Sequence, residues 1–128
     1  MVPSPCAVSL FLCDQIILDA NTNNPSLIGI FTGLAVDEFP SRGERFSVFV
    51  ALTDAAGAGR MEIRVVEIAT DDPIHQFERS VAFPDRFSVQ NIGVRLRNVV
   101  FPRPGRYAVQ LLIDGEPIAQ RRLRVYQP

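Results

Sequence analysis

The chain has no lysine, no tryptophan, a single histidine and only two cysteines among its 128 residues. Each shortage closes a route. One histidine and two thiols cannot supply the four Cys/His ligands of a structural zinc site within one protomer. If Cys6 and Cys13 lie on extended chain, about 23 Å separates them, far beyond the ~7 Å reach of a disulfide, and they face opposite ways. Free thiols in a reducing compartment are expected. No stretch approaches the ~20 apolar residues that span a bilayer. A basic excess is missing too: 13 Lys+Arg against 14 Asp+Glu leave a net charge of −1. That argues against an electrostatic nucleic-acid binder. Met1–Pro5 places no positive charge before the apolar run Ala7–Cys13, so the first part of a secretory signal is lacking. A cytoplasmic location is the expectation.

All the cationic side chains except the histidine are arginines. A GC-rich coding sequence accounts for this. Selection for bidentate anion contacts is the alternative, and the balancing carboxylates argue against it.

What is present is apolar and alternating. Hydrophobic residues make up 47% of the chain, enough for an ordinary core in one domain spanning 1–128. Phe46, Val48, Val50 and Leu52 share one parity, and Tyr107, Val109, Leu111 and Ile113 repeat the pattern. Period two over such lengths marks strands with one buried face. Strands are expected near Ala7–Cys13, Gln15–Leu18, Leu27–Val36, Arg45–Thr53, Met61–Ile68, Gln76–Phe83, Ile92–Phe101, Arg106–Ile113 and Pro117–Tyr126. Asn21–Pro25, Ala55–Gly59 and Asp71–Pro73 read as turns. Many short strands without intervening helices predict an all-β, antiparallel, immunoglobulin-like β-sandwich of about seven to nine strands.

Two details sharpen this. In Pro104-Gly105-Arg106-Tyr107, a tyrosine enters a late strand just after a glycine, as in a tyrosine corner whose hydroxyl bonds back to upstream backbone. A phrase also recurs: Phe39-Pro40 leads to Arg45-Phe46-Ser47-Val48, Phe83-Pro84 to Arg86-Phe87-Ser88-Val89, and Phe101-Pro102 to Arg106-Tyr107-Ala108-Val109. Proline ends a strand, and the aromatic that follows is expected to anchor the next strand in the core. Asp114-Gly115 signals a type I′ hairpin. A two-residue loop there turns Leu123 and Val125 away from the core unless a bulge near Ala119–Arg121 resets the parity. A three-residue loop, Asp114–Glu116, would pair Tyr107 with Leu123 directly and leave Leu112 and Ile118 as a small outer patch.

Chemistry is sparsely provided. His75, near Asp71 and Asp72, is a possible general base. No nucleophile elbow accompanies it, and it reads as an exposed loop histidine. Cys13 sits beside Asp14, whose charge disfavours a thiolate; a buried thiol next to a turn-forming Asp is expected. Asp14, Asp19, Asp37, Glu38, Asp71 and Asp72 lack calcium-loop spacing. Gly57-Ala58-Gly59 lacks the strand–loop–helix setting of a phosphate cradle. Arg95 and Arg97 alternate with core positions, as do Arg122 and Arg124. Should the last strands neighbour one another, they form a basic stripe suited to phosphate or an acidic partner; otherwise they solubilise an outer face. No catalytic, cofactor-binding or metal-binding residue is assigned.

Cys13-Asp14, the segment Ser26–Phe31 and Phe39-Pro40 resemble the opening of a bacterial family of small β-sandwich proteins of unknown function. Pro104–Tyr107 and Asp114-Gly115 resemble that family's closing hairpin. The resemblance spans nearly the whole chain, and departs from it where Asn23-Asn24 replaces a common Gly-Lys turn. It implies an immunoglobulin-like fold and no activity or functional residues.

The functional expectation is a non-catalytic interaction or self-association module that uses a sheet face or edge strand, with a protein partner or homo-oligomer and neither nucleic acid nor membrane. A small-ligand or carbohydrate-binding sandwich, with aromatics exposed in its loops, is the alternative. An enzyme is the third.

Overall fold

A computed structural model describes residues 6–128 and contains nine strands and no helix among them. The strands are β1 (Cys6–Leu18), β2 (Pro25–Ile30), β3 (Gly33–Ala35), β4 (Glu44–Thr53), β5 (Gly57–Glu67), β6 (Asp72–Phe83), β7 (Gln90–Val99), β8 (Gly105–Ile113) and β9 (Glu116–Tyr126). Four form one sheet in the order β2-β1-β4-β7, and five form a second in the order β3-β9-β8-β5-β6. The reading of Met1–Pro5 as lacking a leader charge falls outside the described residues.

The core lies between the sheets and is built by the alternation seen in the sequence. Phe46, Val48, Val50 and Leu52 of β4 meet Met61, Ile63 and Val65 of β5 and Tyr107, Val109 and Leu111 of β8 in one cluster. None of these side chains is more than 1% exposed. Each buried aliphatic contributes roughly 1.5–3 kcal/mol over its exposed state. Tyr107 packs edge-on against Phe101 at 4.9 Å between ring centres. Its hydroxyl donates to the Arg103 carbonyl at 2.5 Å, the back-bond expected of a tyrosine corner. Glu67 is buried beside it, accepting from Thr70 at 2.8 Å and paired with Arg103 at 3.3 Å.

The closing hairpin uses the first of the two expected devices. Asp114 and Gly115 have φ of 50° and 80°, as type I′ requires, and Ile113 pairs with Glu116. Leu112 pairs with Pro117 but Leu111 with Ala119, so Ile118 is the extra residue of a bulge. The bulge lies one residue before the expected span. It restores parity, and Tyr107 faces Leu123 in the core.

Several expectations are corrected. Ala7–Cys13 and Gln15–Leu18 are one strand, because β1 changes partner at Cys13 without breaking. Asp14 is therefore an exposed strand residue rather than a turn. Leu27–Val36 is two strands in different sheets. Between them Phe31 donates its amide to Leu12 and Thr32 accepts from Arg124, so neighbouring residues bind opposite sheets. The resulting β3–β9 pair is parallel, where an antiparallel fold is expected. The turn placed at Asp71–Pro73 spans 68–71 instead, and Asp72 and Pro73 open β6. Pro73 is tolerated because β6 is an edge and carries a register shift there. Gly57–Gly59 belongs to β5 rather than to a loop.

Phe87 departs furthest. It is 87% exposed on the loop between β6 and β7, while its counterparts Phe46 and Tyr107 are buried. Asp85 explains the difference. Its carboxylate accepts the amides of Phe87 and Ser88, both at 2.8 Å, and the Ser88 hydroxyl at 2.9 Å. Local bonding of this kind competes with strand pairing and turns the chain. The same bonds hold the Asp85 carboxyl below its ordinary range, the Ser88 contacts first.

Candidate functional site

The two halves of β1 have different surroundings. Cys6–Cys13 pairs with β4, whereas Cys13–Leu18 pairs only with β2. Cys13 is the pivot, opposite both Ser47 and Ile30. Beyond it the β1–β2 hairpin leaves β4 as an arm that turns back over the outer face of β4 and β7. Two contacts record the fold-back. Arg95 of β7 donates to the Asp14 carbonyl at 2.5 Å and to the Ser47 hydroxyl at 3.1 Å. The Ile16 side chain reaches Gly93 so closely that a Cβ there would meet it at 3.0 Å.

Glycine is required in the arm itself. Gly29 has φ +70°, and a Cβ would lie 2.2 Å from an Asp14 carboxylate oxygen. At the tip, Asp19 accepts the amides of Asn21 at 2.8 Å and Thr22 at 2.9 Å. These bonds, Thr22 first, lower the Asp19 carboxyl below its usual range. Asn23 takes a left-handed φ of 61°, as its side chain tolerates.

Beneath the arm lies a cleft of about 750 Å³, lined by Asp14, Ile16, Ser47, Phe49, Gly93, Arg95 and Arg97 among others. On its free side the arm exposes apolar side chains, Ile17 at 43%, Ile28 at 46% and Ile30 at 55%, while Leu18 is on the cleft side. Ile28 and Ile30 lie on β2, whose other edge pairs with no strand among the described residues. Pro25–Ile30 holds no charged residue, whereas native edges are usually guarded by charge.

The residues singled out from sequence do not gather here as one site. His75 is half-buried in β6 opposite Val65, not in a loop; burial lowers its pKa. Both cysteines are free, Cys6 exposed and Cys13 buried. Burial pushes the Cys13 thiol up. Among the described residues no group of three or more His, Cys, Asp or Glu side chains could hold a metal ion. The arginine stripe is divided: Arg95 and Arg97 sit on β7 at the cleft, while Arg122 and Arg124 sit on β9 in the other sheet. The apolar residues of the arm are the feature that sequence reasoning missed. Their strands were legible, but nothing in the pattern said that one face would stay uncovered.

Residues 8–126 match the family model described as "Family of unknown function (DUF6941)". The chain belongs to that family. No curated protein matches this DUF6941 chain in sequence. Among solved structures, it is similar to the alkylpurine DNA glycosylase AlkC of Pseudomonas fluorescens, bound to DNA containing an abasic site analog. There the TM-score is 0.53 at 13% identity, covering 74% of this chain and 27% of that one. A glycosyl hydrolase family 2 member from Bacteroides cellulosilyticus gives a TM-score of 0.49 at 20% identity, covering 70% of this chain and 12% of that one. The DUF6941 chain thus spans a small part of each, and at such identity the first likeness speaks to the fold alone. No described helix is long and apolar enough to cross a membrane.

Proposed function

We propose that the protein is a non-catalytic module that associates with a second copy of itself through the free edge of β2. The observation that carries this is an unguarded edge bearing exposed Ile28 and Ile30, on the same face of the arm as Ile17. A twofold axis pairs an edge strand with its own antiparallel image. A charged strand would then face its own charge across the axis, and Pro25–Ile30 has none. Backbone groups supply the ladder and the isoleucines exclude water.

The immunoglobulin-like class belongs to the same reading. It is supported by the tyrosine corner and by β9-β8-β5-β6 as one sheet facing β1-β4-β7, the arrangement of strands G, F, C and C′ against A, B and E. Residues 1–128 are taken as one domain of a bacterial cytoplasmic protein, and the free thiols favour such a reducing compartment. A second reading, a small-ligand binder, draws on the cleft beneath the arm and on Phe87 exposed in its loop.

Sedimentation equilibrium of the wild type and of Ile28→Arg tests the proposal. The wild type is expected to dimerise, and the arginine variant to be folded and monomeric. A wild type that stays monomeric at millimolar concentration overturns the proposal. So does a dimer that Ile28→Arg leaves intact.

A further inference from the structure

The outer face of β8 and β9 gathers three arginines, Arg106, Arg122 and Arg124. Arg106 and Arg124 are direct cross-strand partners, and Arg122 is the next outward residue along β9, opposite Ala108. The Arg106 carbonyl accepts from Ile68, and the Arg124 amide donates to Thr32. Both backbone groups therefore point away from each other. Their pair is of the non-hydrogen-bonded kind, in which facing side chains come closest, with Cα atoms about 4.5 Å apart. Like charges set directly opposite are repulsive. Arg122 stands on the diagonal from Arg106, about 7–8 Å away by sheet geometry.

The ion pairs Arg42–Glu38, Arg60–Glu78, Arg64–Glu62 and Arg103–Glu67 all lie elsewhere. The Arg124 guanidinium carbon lies 5.3 Å from the centre of the Tyr126 ring. A shallow cleft of about 460 Å³ lies over these side chains, with Thr32 and Gln120 on its lining. Arg121 also lines it, but its Nε is committed to the Leu10 carbonyl at 2.9 Å and its guanidinium to the Phe11 ring.

The geometry points to a binding site for a phosphate-bearing small molecule, held by Arg106, Arg122 and Arg124. Three arginines lining one cleft, two of them directly opposite across the strands, call for a ligand of charge −2 to −3. A diphosphate supplies that, and a single carboxylate does not. Guanidinium forks match phosphate oxygens two at a time. The site is on the opposite sheet from β2, so it stands or falls separately from self-association.

Titration calorimetry with inorganic pyrophosphate at low salt tests it, alongside thermal melts of wild type, Arg106→Gln, Arg124→Gln and the control Arg79→Gln, which lies on β6 and lines neither cleft. One pyrophosphate is expected per chain, weakening steeply with salt, with at least tenfold loss in Arg124→Gln and none in Arg79→Gln. Without pyrophosphate, Arg106→Gln is expected to melt above the wild type, because the facing repulsion is gone; with it, below. The absence of binding, equal loss in Arg79→Gln, or an unchanged melting order overturns the site. Tighter binding of citrate or of an oligoglutamate peptide than of pyrophosphate overturns its assignment to phosphate.

Discussion

β2 and β6 both end a sheet, and they solve the problem of an open edge differently. β6 carries Asp72, Glu78 and Arg79, a proline and a register shift, and Glu78 is tied to Arg60 at 2.9 Å. Each of these discourages another strand from docking. β2 has a proline only at its first position, no charge, and isoleucines turned outward. One chain thus contains both a defended edge and an undefended one. Where a protein omits a protection it uses elsewhere, the omission is the informative part.

That contrast can be broken at β2 first. Gly29→Ala is expected to have the largest effect, since its φ of +70° and the Asp14 carboxylate 2.2 Å from the new Cβ both oppose a side chain. Strain and displacement together are expected to cost about 2–3 kcal/mol. Hydrogen exchange should show the loss confined to 14–30, with β5 and β6 unchanged; uniform loss across both sheets would show that the arm is not a separate unit.

A smaller effect is expected at β6 from pH. Burial holds His75 below its ordinary pKa of 6.5, so the folded chain binds fewer protons than the unfolded one. Its contribution is present above pH 6.5 and is lost as pH falls through that value toward the lower folded pKa. Urea midpoints measured downward from pH 7 should decline for the wild type more than for His75→Gln. Parallel curves would remove His75 from the account.

The smallest effect belongs to the Arg60–Glu78 pair, whose side chains are 58% and 48% exposed. Arg60→Ala is expected to change stability by less than ~0.5 kcal/mol, as solvent screens such pairs. The guard on β6 would then act against misassociation rather than for stability, and light scattering on heating is where Arg60→Ala should differ from wild type.

Side-chain parity was legible in the sequence, and with it the all-β class, the strands and most of the core. Sheet membership was not. Apolar even positions continue from Ile28 and Ile30 to Leu34 and Val36 although the chain changes sheets between them, and the parity that is exposed in β2 faces the core in β3. Conversely, β1 looked broken at Asp14 because a charge interrupts the apolar run, yet only its partner changes. Phe87 reads like Phe46 until Asp85 is seen to bond the backbone on its own. The arm's isoleucines match core residues in composition. Their exposure depends on which surface lies opposite, and local pattern does not encode that. The arginine stripe failed for the same reason: β7 and β9 are alike in pattern and lie in different sheets.

Cys6 is exposed near the start of β1, and Cys13 is fully enclosed at its pivot. The chain therefore contains two thiols with different access to reagents. A maleimide should mark Cys6 at once and reach Cys13 only when the strand peels from Ser47, so the slower labelling rate is a clock for opening of the hinge.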